Sequence, residues 1–449
     1  VFSTDDTIVA VATPPGHGGI GVVRLSGACA GRVAVQLVEC AALEPRQATF
    51  TRVRAANGSP IDEVVATLFP SPRSYTGEDV VEISAHGSPV LLAEIVRAAV
   101  EHGARLAEPG EFTLRAFLNG RIDLPQAEAV ADLVNAVTPG QARAAFDQLN
   151  GTLTTTIAEI ERGLFDLSAK LEASLDFPDE GYHFLAPGEA RAAIDRLAAR
   201  IDALLAGATR GRAMREGRVA AICGRPNVGK SSLFNRLLGF DRAIVTAVEG
   251  TTRDLVDERL DLEGVPVRLV DTAGMRDAMD EVEAEGIARA GRAVDTADVV
   301  VVMLDRSRPL EASDRDLCSR TRGRPRVLVA NKSDLPAAWR LDELDAGAIE
   351  LSLATGDGLE AVRRAIGEAA GAGADGRDLP SVTNARHAAL LERARDALGR
   401  AAGAAGAAAP EEIVLEDLGD ARAALEEVTG ARTSEDLLRH IFQTFCIGK

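Results

Sequence analysis

The pattern of apolar and polar positions changes character several times along the chain. In the first 120 residues, short apolar runs alternate with turn residues. IVAVATPPGHGGIGVVRLSG sets two apolar runs around a Pro/Gly turn, and EVVATLFP and DVVEISAHG are strand-length runs. Pro89–His102 repeats its apolar positions at helical spacing. This block predicts mixed α/β structure. From about Pro125 the texture becomes Ala, Leu, Glu, Asp and Arg with a helical period, through QAEAVADLVNAV and IAEIERGLFDLSAKLEASL to about Arg212. Phe177–Pro187 interrupts it with Pro, Gly and aromatics and reads as a loop. Arg218 opens a third texture. RVAAICG, RLDLEGVPVRLVDTAG, DVVVVMLD, RVLVANKSD and AIELSLA alternate with helical stretches, the spacing of a doubly wound parallel sheet. Within it, Leu260–Val270 carries a Glu-Gly turn between apolar runs and predicts a hairpin at the sheet edge. Asn384–Lys449 returns to helix, broken by the low-complexity AAGAAGAAAP.

The last stretch, about 70 residues, is too short to bury a good core alone. It is therefore expected to pack on the helices of 125–212, which makes the α/β block an insertion in a helical domain. The expected organisation is an α/β domain over 1–120, helical parts over 121–216 and 380–449, and a P-loop domain over 217–379.

Composition adds exclusions. The 449 residues suit two to four domains, and 46% hydrophobic with 26% charged residues is an ordinary globular balance. The net charge of −18 excludes a basic coat for indiscriminate nucleic-acid binding but leaves room for a local arginine patch. Five scattered cysteines, with no C-x-x-C, signal neither a zinc site nor a disulfide framework. Apolar runs such as Val299–Leu304 are too short to span a bilayer, and VFSTDD lacks the basic-then-apolar signal pattern. A soluble cytoplasmic location without a membrane partner is the expectation. His17, His86 and His183 read as loop residues without metal-ligand spacing. The chain has 46 Arg but four Lys (Lys170, Lys230, Lys332, Lys449), and three of those four fall in the motifs below.

Gly224–Ser231 reads GRPNVGKS, matching G-x-x-x-x-G-K-[ST] between an apolar strand and the helix SSLFNRLLG. Such a loop curls backbone N–H groups round phosphate oxygens at a helix N-terminus; Lys230 reaches the β- and γ-phosphates and the Ser231 hydroxyl ligates Mg²⁺. Asp271-Thr272-Ala273-Gly274 follows at the next strand end, supplying a carboxylate near the metal and a glycine N–H for the γ-phosphate. Asn331-Lys332-Ser333-Asp334 follows another apolar strand. The Asp334 carboxylate can accept from both N1–H and the exocyclic amine of guanine, a donor pair that adenine lacks. GTP is therefore the expected nucleotide. Ser352-Leu353-Ala354 takes the place of a base-contacting loop, with Leu353 departing from the usual Ser-Ala-Lys. Gly250-Thr251-Thr252-Arg253-Asp254 offers Thr252 to complete the Mg²⁺ shell once a γ-phosphate is present. Met275 stands where Ras-like GTPases carry the glutamine that orients water. Either hydrolysis is feeble or another group supplies the function. Asn227 offers an oxygen near the β-phosphate, where a monovalent cation could replace an arginine finger.

The chain resembles, end to end, the tRNA-modification GTPase family called MnmE or TrmE. The resemblance rests on DTIVAVATPPGHGGIGVVRLSG, SYTGEDVVEISAHG, PGEFTLRAFLNGRIDL, LDFPDE, the GTPase motifs and the terminal Cys446-Ile447-Gly448-Lys449. It implies a tetrahydrofolate-binding N-terminal domain that forms a homodimer, a helical domain and an inserted G domain. It implies an FAD-dependent partner protein, and an aminomethyl or carboxymethylaminomethyl group installed on C5 of the wobble uridine of certain tRNAs. The one-carbon unit would come from methylenetetrahydrofolate. Implied folate contacts are Arg24, Glu82, Arg121 and Lys449; a salt bridge between strands is the plain alternative for Arg24 and Glu82. Implied nucleotide contacts add Val228, Gly229 and Ser232, with the loop Thr246, Ala247, Val248, Glu249, Gly250, Thr251 and Thr252. Implied K⁺ ligands are Asn227, Thr246, Val248 and Thr251, and Glu283 helps orient water. Cys446 is either a buried apolar residue or a nucleophile toward the uridine ring.

The rival expectation is a regulatory GTPase of ribosome assembly, which often carries a KH domain after the G domain. Gly403-Ala404-Ala405-Gly406 superficially fits a GXXG loop. Residues 381–449, with 8 Lys/Arg and 11 Asp/Glu, lack the basic character such a domain needs.

Overall fold

The computed structural model describes residues 5–176, 188–240, 259–262, 264–271, 295–344, 347–372, 382–407 and 409–448. The first block comprises β1 (Ile8–Val11), β2 (Gly18–Ser26), α1 (Ala30–Leu37), β3 (Thr49–Arg54), β4 (Pro60–Phe69), β5 (Val80–Gly87), α2 (Pro89–Glu101), β6 (Arg105–Leu106) and α3 (Glu111–Leu118). Its six-stranded sheet has the order β3-β4-β5-β2-β1-β6, antiparallel except for the β1–β6 pair. Alternation along β2 and β5 sends Val23, Leu25, Val81 and Ile83 into the core beneath α1 and α2. By the same two-residue period, Arg24 and Glu82, direct partners in the β2–β5 register, project from the opposite face. His86 lies on β5 rather than in a loop, and its Nδ1 is 2.8 Å from Asp62 Oδ1.

The next helices are α4 (Leu124–Asn135), α5 (Pro139–Leu149), α6 (Thr152–Asp176), α7 (Glu189–Leu205) and α8 (Ala208–Glu216). Asp123 with Gln126, and Thr138 with Gln141, form capping boxes that set the starts of α4 and α5. Phe177–Pro187 lies outside the described residues.

The third block holds β7 (Arg218–Cys223), α9 (Lys230–Phe240), β8 (Arg259–Leu262), β9 (Val265–Asp271), β10 (Val299–Asp305), α10 (Ala312–Arg320), β11 (Arg326–Asn331), β12 (Ile349–Leu351) and α11 (Leu359–Ala369). Its sheet order is β12-β11-β10-β7-β9-β8, parallel throughout except that β8 and β9 form the expected edge hairpin. The order reverses between β7 and β10, which opens the ligand crevice of such sheets beyond the carboxyl ends of those strands.

The chain closes with α12 (Ala385–Gly406), α13 (Glu411–Thr429) and α14 (Glu435–Gln443). Leu391 and Leu398 of α12, and Leu418 and Leu425 of α13, share one core with Ile157 and Leu164 of α6 and Ile194 and Ile201 of α7. The expected packing of the two helical parts is therefore present. The Ala/Gly tract corrects one expectation. It does not break the helix at its start, because α12 runs on to Gly406 with Ala401 buried and Ala404 and Ala405 packed on the same core. Gly403–Gly406 is thus helical and not a GXXG loop. Leu438 and Phe442 of α14, with Phe445, pack on Leu114 and Leu124 and carry the chain end to the first sheet.

Candidate functional site

The Gly224–Ser231 turn follows β7 and opens α9, as the spacing predicts. Gly229 (φ +106°) is a position only glycine fits: a Cβ there would stand 2.5 Å from Asn331 Nδ2 and 3.1 Å from Leu353 Cδ1. The Lys230 ammonium donates to the carbonyls of Gly224 (2.9 Å) and Arg225 (2.8 Å), so it lies folded over the turn. Asn331, buried at the end of β11, donates from Nδ2 to the Val228 carbonyl at 2.8 Å, and its Oδ1 accepts from Leu353 N at 3.4 Å. One amide thereby ties the phosphate turn to the 352–354 loop. The sequence motif places Asn331 at the nucleotide site but gives no sign of this bridge, which depends on a contact across 103 positions.

Asp334 Oδ1 accepts from Ser352 Oγ at 2.6 Å. Ser352 is buried, and its Oγ also accepts from Thr355 N at 3.2 Å. Lys332, in a left-handed conformation (φ +65°), pairs with Asp305 Oδ2 at 2.6 Å. Burial pulls the Asp305 carboxyl up, but hydrogen bonds from Lys332 and Ser307 outweigh it and hold the group below its ordinary range. Leu353 takes its place through its backbone, since its side chain packs toward Gly229 and its carbonyl accepts from Arg236. The structure thus brings together Asn227, Val228, Gly229, Lys230, Ser231, Asn331, Lys332, Asp334, Ser352 and Leu353 at the carboxyl ends of β7, β10, β11 and β12. Ser232 follows on α9 and Ala354 on the loop, while β9 ends at Asp271. Thr246, Ala247, Val248, Glu249, Gly250, Thr251, Thr252, Thr272, Ala273, Gly274, Met275 and Glu283 lie outside the described residues.

A second constellation forms on the first sheet. The Arg24 guanidinium donates to Glu82 Oε1 from Nε (2.9 Å) and Nη2 (2.8 Å), so the strand salt bridge is present. The same group lies 5.1 Å from the Tyr75 ring centroid and 5.7 Å from that of Phe112, and it donates to the Gly448 carbonyl at 3.4 Å. The chain end therefore reaches this pair across 424 positions. Arg121 is exposed, its stem near Gly77, and Lys449 lies outside the described residues. Tyr75 and Phe112, which the sequence does not mark as site residues, lie in two of the segments that carry the resemblance. Their link to Arg24 is tertiary.

Cys446 is exposed, which overturns the buried apolar alternative for it. Its carbonyl accepts from Gly110 N at 3.4 Å, fixing this part of the tail against the start of α3. Cys223 behaves oppositely: burial pushes its thiol up to about 12, leaving it inert beneath the phosphate turn. Four of the seven arginines from Arg191 to Arg218 pair with carboxylates. Arg191 pairs with Asp195 (3.7 Å), Arg215 with Asp132 (2.8 Å), Arg218 with Asp298 (3.3 Å), and Arg200 with Glu159. Among the described residues no helix is long and apolar enough to cross a membrane.

Comparison with known proteins agrees with this layout. A family model described as the GTP-binding protein TrmE N-terminus matches residues 7–121, and one described as the MnmE helical domain matches residues 124–446. The chain is 45% identical over 455 residues to a tRNA modification GTPase MnmE of Koribacter versatilis, covering 100% of both chains. It is 45% identical over 448 residues to the protein of that name from Azoarcus sp., covering 99% of this chain and 98% of the other. With the one from Thiobacillus denitrificans it shares 43% identity over 445 residues, covering 99% and 98%. The likeness runs the length of every part described above, and the chain belongs to the tRNA modification GTPase MnmE family.

Proposed function

We propose that the protein hydrolyses GTP and spends the cycle on tRNA modification. With an FAD-dependent partner protein, it adds a (carboxymethyl)aminomethyl group to C5 of the wobble uridine of certain tRNAs, drawing a one-carbon unit from a tetrahydrofolate derivative. The observation that carries the GTPase reading is the union of a phosphate turn and a guanine-reading carboxylate through Asn331. The organisation that goes with it is a folate-binding and dimer-forming domain over 1–120, helical parts over 121–216 and 380–449, and a G domain over 217–379. FAD enters only with the partner, and the cytoplasm is the proposed location.

The backbone cradle that a Cβ at Gly229 would fill supports phosphate binding there. Lys230 exchanges its two carbonyl acceptors for phosphate oxygens, while Asp334 accepts from the guanine edge, held in line by Ser352. In hydrolysis the water oxygen bonds to the γ-phosphorus as the bond from that phosphorus to its bridging oxygen breaks. GDP keeps the bridging oxygen, the phosphoryl group leaves as inorganic phosphate, and a water proton passes to the phosphate or to solvent. Ser231 and Thr252 would hold Mg²⁺. Asn227, with Thr246, Val248 and Thr251, would hold K⁺. The hard oxygen donors at these positions suit both ions. When bound, the two cations supply the positive charge that offsets charge developing between the β- and γ-phosphates. Glu283 orients the water where Met275 has no polar group to do so.

The second site fits a folate. The joined Arg24–Glu82 pair can face the donor and acceptor edge of a pterin, and Arg121 and Lys449 can hold its anionic glutamate. The aromatic walls of Tyr75 and Phe112 support that reading by flanking Arg24. GTP turnover measured in KCl and in NaCl at equal ionic strength tests the hydrolytic part. Faster turnover in KCl, lost in Asn227→Ala with nucleotide affinity retained, is expected; equal rates in the two salts contradict it.

A further inference from the structure

Asn227 stands exposed at the tip of the phosphate turn with φ +63°, a left-handed conformation rare outside Gly, Asn and Asp. A tip in that conformation keeps its side chain in one place only if the chain on both sides is fixed. On the following side the Val228 carbonyl is held by Asn331 Nδ2 at 2.8 Å. On the preceding side the anchor is Arg225. Its carbonyl accepts from Lys230 at 2.8 Å, and its guanidinium leaves the turn altogether to reach the start of α10. Arg225 Nη1 donates to Asp314 Oδ2 at 3.2 Å, and Nη2 pairs with Glu311. Asp314 is itself immobilised: it is 5% exposed, and its Oδ2 accepts from Glu311 N at 3.0 Å as part of the α10 capping box. Its Oδ1 is buried and has no hydrogen-bond partner among the described residues, so the guanidinium is the charge that compensates this carboxylate.

We propose that Arg225 is a positioning residue: by tethering the first half of the phosphate turn to α10, it holds the Asn227 side-chain oxygen where it serves a monovalent cation. Lysine at this position would keep the charge but not the forked reach to two carboxylates. The inference rests on the proposed K⁺ role of Asn227. Arg225 touches neither nucleotide nor ion in this scheme, so its loss acts on cation affinity and leaves the chemical step intact at saturating cation.

The test titrates KCl at constant ionic strength, with N-methylglucamine chloride as the balance, and follows GTP turnover by the full-length protein. Arg225→Gln is expected to raise the K⁺ concentration for half-maximal turnover about three- to tenfold, as loss of a partly exposed ion-pair network allows. Maximal turnover and GDP affinity should stay within about twofold of the parent, since the phosphate-binding amides are untouched. Arg225→Lys should recover part of the shift, and Glu311→Gln should show a smaller shift of the same sign. An unchanged K⁺ midpoint in Arg225→Gln overturns the proposal, and so does a parallel loss of GDP affinity, which marks general support of the turn. If the parent protein itself shows no K⁺ dependence, the cation reading of Asn227 falls and this inference with it. If the parent depends on K⁺ and only the variants fail to shift, the inference alone falls.

Discussion

Glu128→Gln is the substitution whose cost the structure defines best. Glu128 lies on α4, and across 258 and 259 positions it meets Arg386 and His387 at the start of α12. Its Oε2 is 2.6 Å from His387 Nε2 and accepts from Arg386 Nη2 at 3.0 Å, while Oε1 accepts from Arg386 Nε at 3.2 Å. This cluster staples the helical part before the insertion to the part after it. Burial alone would raise the Glu128 carboxyl, but the hydrogen bond and charge of His387, then the Arg386 guanidinium, outweigh it and hold the group at about 2. Burial in turn pushes the His387 imidazole down toward its neutral form, and its buried Nδ1 has no hydrogen-bond partner among the described residues. A ring donating from Nε2 to the carboxylate fits both facts, and Arg386 is the permanent positive charge of the cluster.

The fall from an ordinary 4.5 to about 2 is worth about 3 kcal/mol of stability. A depressed carboxylate contributes that stability fully above its unfolded value of 4.5, and the contribution is lost as pH falls from there through about 2. Glu128→Gln removes the charge opposite Arg386, which keeps its hydrogen bonds to the Glu427 (2.9 Å) and Val428 (3.3 Å) carbonyls, so about 3 kcal/mol is expected at neutral pH, the low end for broken buried pairs. For a unit of this size that lowers the melting temperature by roughly 10 °C. The chain has a single tryptophan, Trp339, which lies in the G-domain core. Its fluorescence therefore reports that unit, while far-ultraviolet circular dichroism weights the helical scaffold. The dichroism transition should drop and the fluorescence transition should stay. Between neutral pH and pH about 3, the parent should lose scaffold stability faster than the variant, because the variant has no such carboxylate to protonate. An unmoved dichroism transition, or equal acid sensitivity in the two proteins, refutes the reasoning.

Asp334→Asn sets an amide donor against the guanine ring N–H, so xanthine nucleotide should outcompete GTP in that variant; retained GTP preference in competition binding would remove Asp334 as base reader. Arg24→Ala should weaken 5-formyltetrahydrofolate binding by tenfold or more, roughly the worth of one charged hydrogen-bonding partner, in calorimetric titration. Unchanged affinity there would leave Arg24–Glu82 a strand salt bridge alone. With four of the seven arginines of the Arg191–Arg218 run paired to carboxylates and a net charge of −18, tRNA binding by this chain alone should be weak, with a shallow salt dependence. Each phosphate contact supplied by the partner should steepen the log–log slope by roughly 0.7–0.9. Tight, strongly salt-dependent binding without the partner would contradict this.

What could be read from the sequence follows from how local each feature is. β10 is buried along nearly its whole length, and its unbroken VVVVML announces a central parallel strand. The α6 core positions Leu153, Ile157, Ile160, Leu164, Leu167 and Leu171 recur at helical spacing. The phosphate turn is one contiguous motif, and its chemistry is written in eight neighbouring residues. α3 was not legible, because it is buried on nearly all sides yet carries Glu111 and Arg115. Arg115, 1% exposed, is accommodated by Glu111 one turn earlier (3.0 Å) and by Asp6 (2.5 Å) and Glu78 (3.3 Å), which lie far off in sequence. A periodicity argument reads such charges as surface. The Ala/Gly tract misled for the opposite reason. Each glycine costs about 1 kcal/mol in a helix, but flanking alanines and packing on the scaffold core outweigh that. The convergence of Arg24, Tyr75, Phe112 and the chain end is purely tertiary and leaves no spacing to detect.

The most direct test of the account is the nucleoside composition of wobble uridines in tRNA from cells lacking this protein, complemented with the parent gene or with Lys230→Ala. The account predicts that the C5 (carboxymethyl)aminomethyl modification disappears in the deletion, returns with the parent and fails to return with Lys230→Ala. Wobble uridines that keep the full modification in the deletion strain would contradict it.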